Sequence, residues 1–329
     1  EGYWASEPVV HSIASIAADR APRLRSLHQS MMKSEMRLQS ARFSFRSTVS
    51  HRVTVLPALL LLALAVAHAA TRIPLEKLPL TAATPAGTSG VSVHPLMVGE
   101  VADVVVDLVS ITGTATHVEA PKADEAVVWL AVAGIGEMRS KDRVYAISGE
   151  TIARAPQGWD WRIAASPGQA LHLVRVRRKL TAVDFEELAK FPQFQQEPLV
   201  KAFRDCEAYR EAIKSPKTIS RTLLPENYVP RMAMGTVETA GPDAVGAHRH
   251  AMLEQLFLGL KGNQITVTAD DAKATLDEFT ILHIPLGSYH GAQVIDGKKL
   301  HYIWMDFFAD KAGQEWLKMH KPITTPHTP

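Results

Sequence analysis

The chain has 329 residues, of which 46% are hydrophobic and 21% charged, and its net charge is only +2. That balance suits one large globular domain or two ordinary ones with real cores, and it gives a nucleic-acid role no electrostatic basis. The single cysteine, Cys206, rules out an internal disulfide and is read as a structural residue.

Residues 1–35 open at Glu1 and show no sustained periodicity. They are read as an upstream extension of the reading frame and set aside. From Met36 the texture sharpens. Arg37, Arg42, Arg46 and Arg52 precede an apolar run from Val53 to Ala67 that ends in Ala67-His68-Ala69, an A-x-A-like cleavage site. The run is shorter than the roughly 20 residues a spanning helix needs, and it contains Pro57. Residues 36–70 are therefore read as a secretory signal peptide, with an uncleaved anchor as the alternative. Both readings put the folded chain in an exported compartment, periplasmic or extracellular. Cleavage leaves no membrane attachment.

Residues 71–100, rich in Pro, Thr, Ala and Gly, read as an extended lead-in. From Val101 short β-type runs follow: Val104 to Val106, Val127 to Val132 and Leu171 to Val176. Later ones are Gln264 to Thr268 and Leu300 to Phe308. Short strands at this spacing point to a β-sandwich or barrel. Between them, Val183 to Phe191 and Leu199 to Ile213 have helical spacing, and Ser215-Pro216 stops the second run. Residues 179–230 are thus expected to form a helical connector between barrels at 101–178 and 231–308, with a tail at 309–329.

Chemistry concentrates in the second half. His248-Arg249-His250 is followed by Glu254, and Pro285-Leu286-Gly287-Ser288-Tyr289-His290 comes 31 residues after that glutamate (285 − 254). Side chains on a strand alternate with period two. His248, His250 and Glu254 therefore share a face, while His290 returns from a second strand after a Pro/Gly turn. Three imidazoles and one carboxylate suit one divalent transition-metal ion, with Mn or Fe favoured and Ni or Zn compatible.

These two stretches, GPDAVGAHRHAMLEQLFLGLKG and FTILHIPLGSYHGAQV, resemble the two motifs of the cupin superfamily. The resemblance implies an all-β fold of double-stranded β-helix (jelly-roll) barrels, with His248, His250, Glu254 and His290 as metal ligands. Phe279 and Val294 depart from the usual opening glycine and closing asparagine of the second motif. The interval from Glu254 to Gly262 is one residue longer than the common form.

An internal repeat makes the resemblance that of a bicupin. Glu254 and Glu125, Pro285 and Pro156, Gly287 and Gly158, His290 and Trp161, Leu300 and Leu171, and His301 and His172 share one offset of 129 (254 − 125). In the first half Glu119, Pro121 and Trp161 stand at the histidine positions and only Glu125 remains. That barrel is expected to be metal-free and structural, with a small-molecule pocket floored by Trp161 as the lesser alternative.

An octahedral ion on four protein ligands keeps two positions open, which describes a catalytic site better than a saturated structural one. The expected function is a metal-dependent enzyme acting on a small anionic oxygen-donor substrate by dioxygenase-type oxidation. The alternatives are a lyase, decarboxylase or isomerase of a small carboxylic acid, and a non-catalytic binding protein. Tyr302 and His301 are the candidate acid–base groups, although His301 has its mate His172 in the half without the metal motif. The expected partner is a small molecule, with no nucleic acid; homo-oligomerisation is compatible with the sequence.

Overall fold

The computed structural model describes residues 72–80, 89–120, 122–210, 214–250 and 252–319, all within the unit Ala65–Pro329. The extension, the signal segment and the last ten residues of the tail lie outside the described residues. The first half forms β1 (Leu75–Lys77), β2 (Gly90–Leu96), β3 (Val104–Thr112), β4 (Thr116–Glu119) and β5 (Glu125–Ser140). It continues with β6 (Arg143–Ser148), β7 (Thr151–Arg154), β8 (Trp161–Ala165) and β9 (Ala170–Lys179). Helix α1 (Ala182–Ala189) follows, then β10 (Leu199–Ala202), β11 (Glu207–Tyr209) and β12 (Ile219–Leu224). The second half forms β13 (Met232–Ala240), β14 (Asp243–His248), β15 (Leu253–Gly259), β16 (Gln264–Ala269) and β17 (Ala272–Asp277). It closes with β18 (Thr280–Ile284), β19 (His290–Val294), β20 (Lys299–Phe308) and helix α2 (Lys311–Met319).

In the second barrel a seven-stranded sheet, ordered β1-β18-β15-β20-β13-β12-β11, faces a four-stranded sheet, β14-β19-β16-β17. Alternation sends Val237, Phe257, Leu282, Leu300 and Tyr302 inward from the first sheet. They meet Val245, Ile265, Val267, Leu276 and Val294 from the second. The first barrel is built alike, and β5 spans both of its layers. Its first part pairs with β7 and β9, and its second with β6 and β8. The strand turns between layers at a register shift around Ala131–Ala133, where Gly134 has φ +90° and a Cβ would fall 1.9 Å from the carbonyl oxygen of Ala170. No other residue type tolerates both demands.

The outer faces of the large sheets meet each other. Leu108, Val128, Leu130, Val174 and Val176 of the first barrel join Leu256, Leu258, Ile303, Met305 and Phe307 of the second in one apolar cluster. Strands β9, β15 and β20 are consequently buried on both faces, which is why they read as near-continuous apolar runs.

Connections cross between the halves. β1, from the lead-in, pairs with β18 of the second barrel, Leu75 opposite Leu282. β10, from the connector, pairs with β7 of the first, Val200 opposite Ala153. The connector is only partly helical. Helix α1 forms as expected, with a capping box in which Thr181 and Asp184 satisfy each other's backbone N–H. The expected helix from Leu199 to Ile213 does not form. Its described residues make β10, a short 3₁₀ turn at Phe203–Asp205, and β11. Unpaired edges of β7 and β12 offer a ladder of hydrogen bonds, and that tertiary pairing overrides a weak helical periodicity. Asp184 also accepts a bidentate pair of hydrogen bonds from Arg231, at 2.8 and 2.7 Å, tying α1 to the start of the second barrel.

Candidate metal centre

Strands β14 and β19 run antiparallel with His248 opposite His290. His290 reaches its place through the turn expected from Pro285 and Gly287. The N–H of Ser288 donates to the Pro285 carbonyl at 3.0 Å, and Gly287 has φ +74°. His250 lies just beyond the end of β14. One ligand nitrogen from each of His248, His250 and His290 comes within 4.8 Å of the others. The ring centroids stand 4.5 to 5.6 Å apart.

The backbone sets the imidazole tautomers. Nδ1 of His248 donates to the Gly246 carbonyl at 2.8 Å and Nδ1 of His290 to the Ser288 carbonyl at 3.0 Å. A carbonyl only accepts, so each Nδ1 carries the proton and each Nε2 keeps its lone pair. His290 is buried, and its Nε2 has no hydrogen-bond partner. Burial first, and the neighbouring His248 second, push its pKa down to about 3, so the ring stays in the neutral, ligating form. An orphaned, inward-facing nitrogen beside two further imidazoles fits a divalent transition-metal ion.

Glu254 does not join this group. Parity counting holds only along an unbroken strand, and the chain leaves the sheet between His248 and Leu253. When β15 begins, Phe257 faces the barrel interior, whereas Leu256 and Leu258 face the other barrel. Glu254 has the outward parity of Leu256. Its Oε2 accepts from Nε2 of His283 at 2.8 Å, while Nδ1 of His283 donates to Glu100 at 2.9 Å. His283 is a buried link between the halves.

The inward neighbour of Phe257 is Gln255, which is buried. Its Nε2 donates to Oδ1 of Asp306 on β20 at 2.7 Å, and its Oε1 is buried without a partner. Sequence reasoning missed both residues. The available signal was the one-residue excess between Glu254 and Gly262, which vanishes when the interval is counted from Gln255.

The two candidate acid–base groups separate. Tyr302 faces the same interior as the histidines, its ring 4.9 Å from that of Phe257, which stands 6.0 Å from His290. His301 has the opposite parity and faces the inter-barrel side, where its Nδ1 is 3.6 Å from Glu150. It does not face the three-histidine cluster. Gln293 is exposed.

The first barrel repeats the frame with other residues. Glu119 stands opposite Trp161 as His248 stands opposite His290, and Gly158 repeats the positive φ of Gly287. The repeat slips by one residue on the long strands. Glu254 pairs with Phe307 and Glu125 with Lys179, so Glu125 is not the counterpart of Glu254. Glu125 lies on the inward side, 2.9 Å from Lys122. In this interior Arg175 donates to Asp107 at 2.8 Å and to Glu119 at 2.6 Å, and lies 5.7 Å from the Trp129 ring. The cavity beside Glu119 and Trp161 holds about 20 Å³, room for a single water at most, and Trp161 is buried. That volume favours the structural role over a small-molecule pocket.

No family model matches the sequence, and no curated protein matches it. Solved structures do match. A putative glyoxylate-induced protein from Pseudomonas aeruginosa is 13% identical with a TM-score of 0.54, covering 73% of this chain and 82% of that one. Protein Ylba from E. coli is 12% identical with a TM-score of 0.54, covering 72% and 90%. A deletion mutant of Bacillus subtilis oxalate decarboxylase is 12% identical with a TM-score of 0.51, covering 77% and 83%. At these identities the likeness is one of fold, and the fold is the bicupin: two β-barrels of the cupin type.

Proposed function

We propose that this bicupin is a metal-dependent enzyme whose C-terminal barrel holds one divalent transition-metal ion, Mn or Fe in preference to Ni or Zn. It acts on a small anionic oxygen-donor substrate by dioxygenase-type oxidation. The observation that carries the reading is the convergence of His248, His250 and His290 with their ligating nitrogens within 4.8 Å. His248 and His290 are pre-set in the ligating tautomer by backbone carbonyls, so little reorganisation opposes metal binding. When bound, the ion supplies Lewis-acid polarisation of a substrate oxygen, or redox exchange with dioxygen.

The chain's own residues do the rest. Phe257, Ile265, Val267 and Ile284 make a dry wall, which strengthens attraction between the centre and an anion by excluding water. Tyr302 brings an exchangeable phenolic proton into the same interior, one ring away from His290.

A second reading, decarboxylation without net oxidation, draws support from the shared fold with a protein named as an oxalate decarboxylase. Export to a periplasmic or extracellular compartment belongs to the proposal and rests on the Val53–Ala67 run.

Elemental analysis of the native protein, followed by an oxygen-electrode screen of carboxylic acids and phenols, tests the reading. Bound Mn or Fe with oxygen uptake supports oxidation, and turnover of a carboxylic acid without oxygen uptake moves the assignment to decarboxylation. A chain that takes up no transition metal overturns both.

A further inference from the structure

We propose that Gln255, not Glu254, supplies the oxygen ligand that completes the three-histidine centre. Asp306 is the positioning residue that decides which atom of the Gln255 amide is presented. This assignment rests on the metal reading above and deepens it.

Three observations carry it. First, the faces of β15 are assigned by their neighbours. Phe257 belongs to the barrel interior and its ring stands 6.0 Å from His290. Leu256 and Leu258 belong to the cluster between barrels. Gln255 has the parity of Phe257 and Glu254 that of Leu256, so of the two adjacent oxygen-bearing side chains only Gln255 faces the side of the histidines.

Second, the Gln255 amide has one orientation. Its side chain is paired with Oδ1 of Asp306 at 2.7 Å. The NH2 of the amide is the donor of that bond, so the carbonyl oxygen faces away from Asp306. That carbonyl oxygen is buried and has no partner, in a residue only 6% exposed. Buried acceptors in native proteins find partners, and this orphaned oxygen lies on the inward face of the strand whose Phe257 ring stands 6.0 Å from His290, the residue that carries the other orphaned atom of this interior, its Nε2.

Third, Glu254 is already engaged. Its carboxylate accepts from His283, which also holds Glu100 of the neighbouring segment.

The exchange has a chemical consequence. Three imidazoles and an amide oxygen are all neutral, so the loaded centre keeps the full double charge of the ion. A carboxylate ligand would cancel half of it. The site therefore favours an anionic substrate more strongly than a histidine–glutamate centre does.

The test is metal binding by the full chain, stripped with chelator and titrated with Mn²⁺ alone, followed by calorimetry, elemental stoichiometry and thermal melting. Gln255→Leu is expected to weaken Mn²⁺ binding by at least 10-fold. Asp306→Asn, which lets the Gln255 amide turn over, is expected to weaken it by about 10- to 100-fold. Glu254→Gln is expected to stay within about twofold of wild type, since its oxygens face away. Gln255→Glu is the check against misfolding. It keeps the shape and an oxygen but sets two carboxylates together, so its metal-free melting temperature falls and the rise on adding Mn²⁺ exceeds that of wild type.

Wild-type affinity in Gln255→Leu, or loss of the ion in Glu254→Gln, overturns this assignment alone. A wild-type chain that binds no Mn²⁺ or other transition metal overturns the metal reading and this assignment together.

Discussion

Nε2 of His283 stands 2.8 Å from Oε2 of Glu254, and that single contact turns the carboxylate of a metal-motif glutamate into part of the joint between two barrels. Glu100 completes the arrangement from the first half of the chain at 2.9 Å. Both ring nitrogens of His283 face carboxylates, so the favoured state of the ring carries both protons.

This link makes stability depend on pH in a definite direction. Burial would lower the His283 pKa, but the flanking carboxylates of Glu254 and Glu100 outweigh it and hold it above its ordinary value. A group with a raised folded-state pKa contributes stability that is fully present below the unfolded value of about 6.5. That stability is lost as pH rises through the folded-state pKa. Denaturant unfolding of wild type and His283→Leu from pH 5 to 9 should show a gap that narrows toward the alkaline end. A gap that is flat or widens with pH would mean the ring is not charged between its partners.

Asp184 and Arg231 form a second link, bidentate and almost fully buried. Removing one partner leaves an uncompensated buried charge. Asp184→Ala should therefore cost about 3–5 kcal/mol, and the double variant with Arg231→Met should recover part of that loss. Calorimetric melting of the three variants measures it; simple additivity would deny the coupling.

Arg175 is the corresponding risk inside the first barrel. With Arg175→Met, Asp107 keeps only Arg177 at 3.1 Å and Glu119 only His117 at 3.1 Å, and the chain should be destabilised, by less than the about 3–5 kcal/mol of a wholly uncompensated buried charge. Metal content should not change, because the histidines belong to the other barrel. A fall in bound metal without a fall in melting temperature would contradict both halves of this expectation.

Tyr302 and His301 are neighbours with opposite outlooks, and substitution should separate them. Tyr302→Phe keeps the ring stack on Phe257 and should leave the metal in place while lowering turnover by about 10²- to 10⁴-fold, the usual worth of a general acid or base. His301→Gln should leave turnover near wild type. Equal effects of the two changes would remove Tyr302 from the reaction.

Much of this was readable in the chain itself. The strands were visible because the apolar runs Val127–Val132, Leu171–Val176 and Leu300–Phe308 in β5, β9 and β20 are buried on both faces. The approach of His290 was visible because Pro285 and Gly287 build a turn by local chemistry. The outward face of Glu254 was not, because period-two counting from His250 to Glu254 assumes a strand that the chain interrupts. One step of phase then exchanges the inner and outer faces. The repeat misled for the same reason: it is true at Trp161 and His290 but slips at Glu125 and Glu254. The second connector helix failed because sheet edges far away in sequence compete for Leu199–Ala202, and no local pattern records a distant edge.

The crossing of β1 and β10 has a bearing on how such a molecule can be divided. A cut that frees residues 231–319 takes away the strand that covers β18, baring the row opposite Leu282. Ending the chain at Lys179 bares β7 in the same way. Each half holds the other's loose selvage, as two pieces of cloth sewn with one thread hold one another. A duplicated ancestor laced in this manner could lose the chemistry of one copy without being able to shed the copy itself.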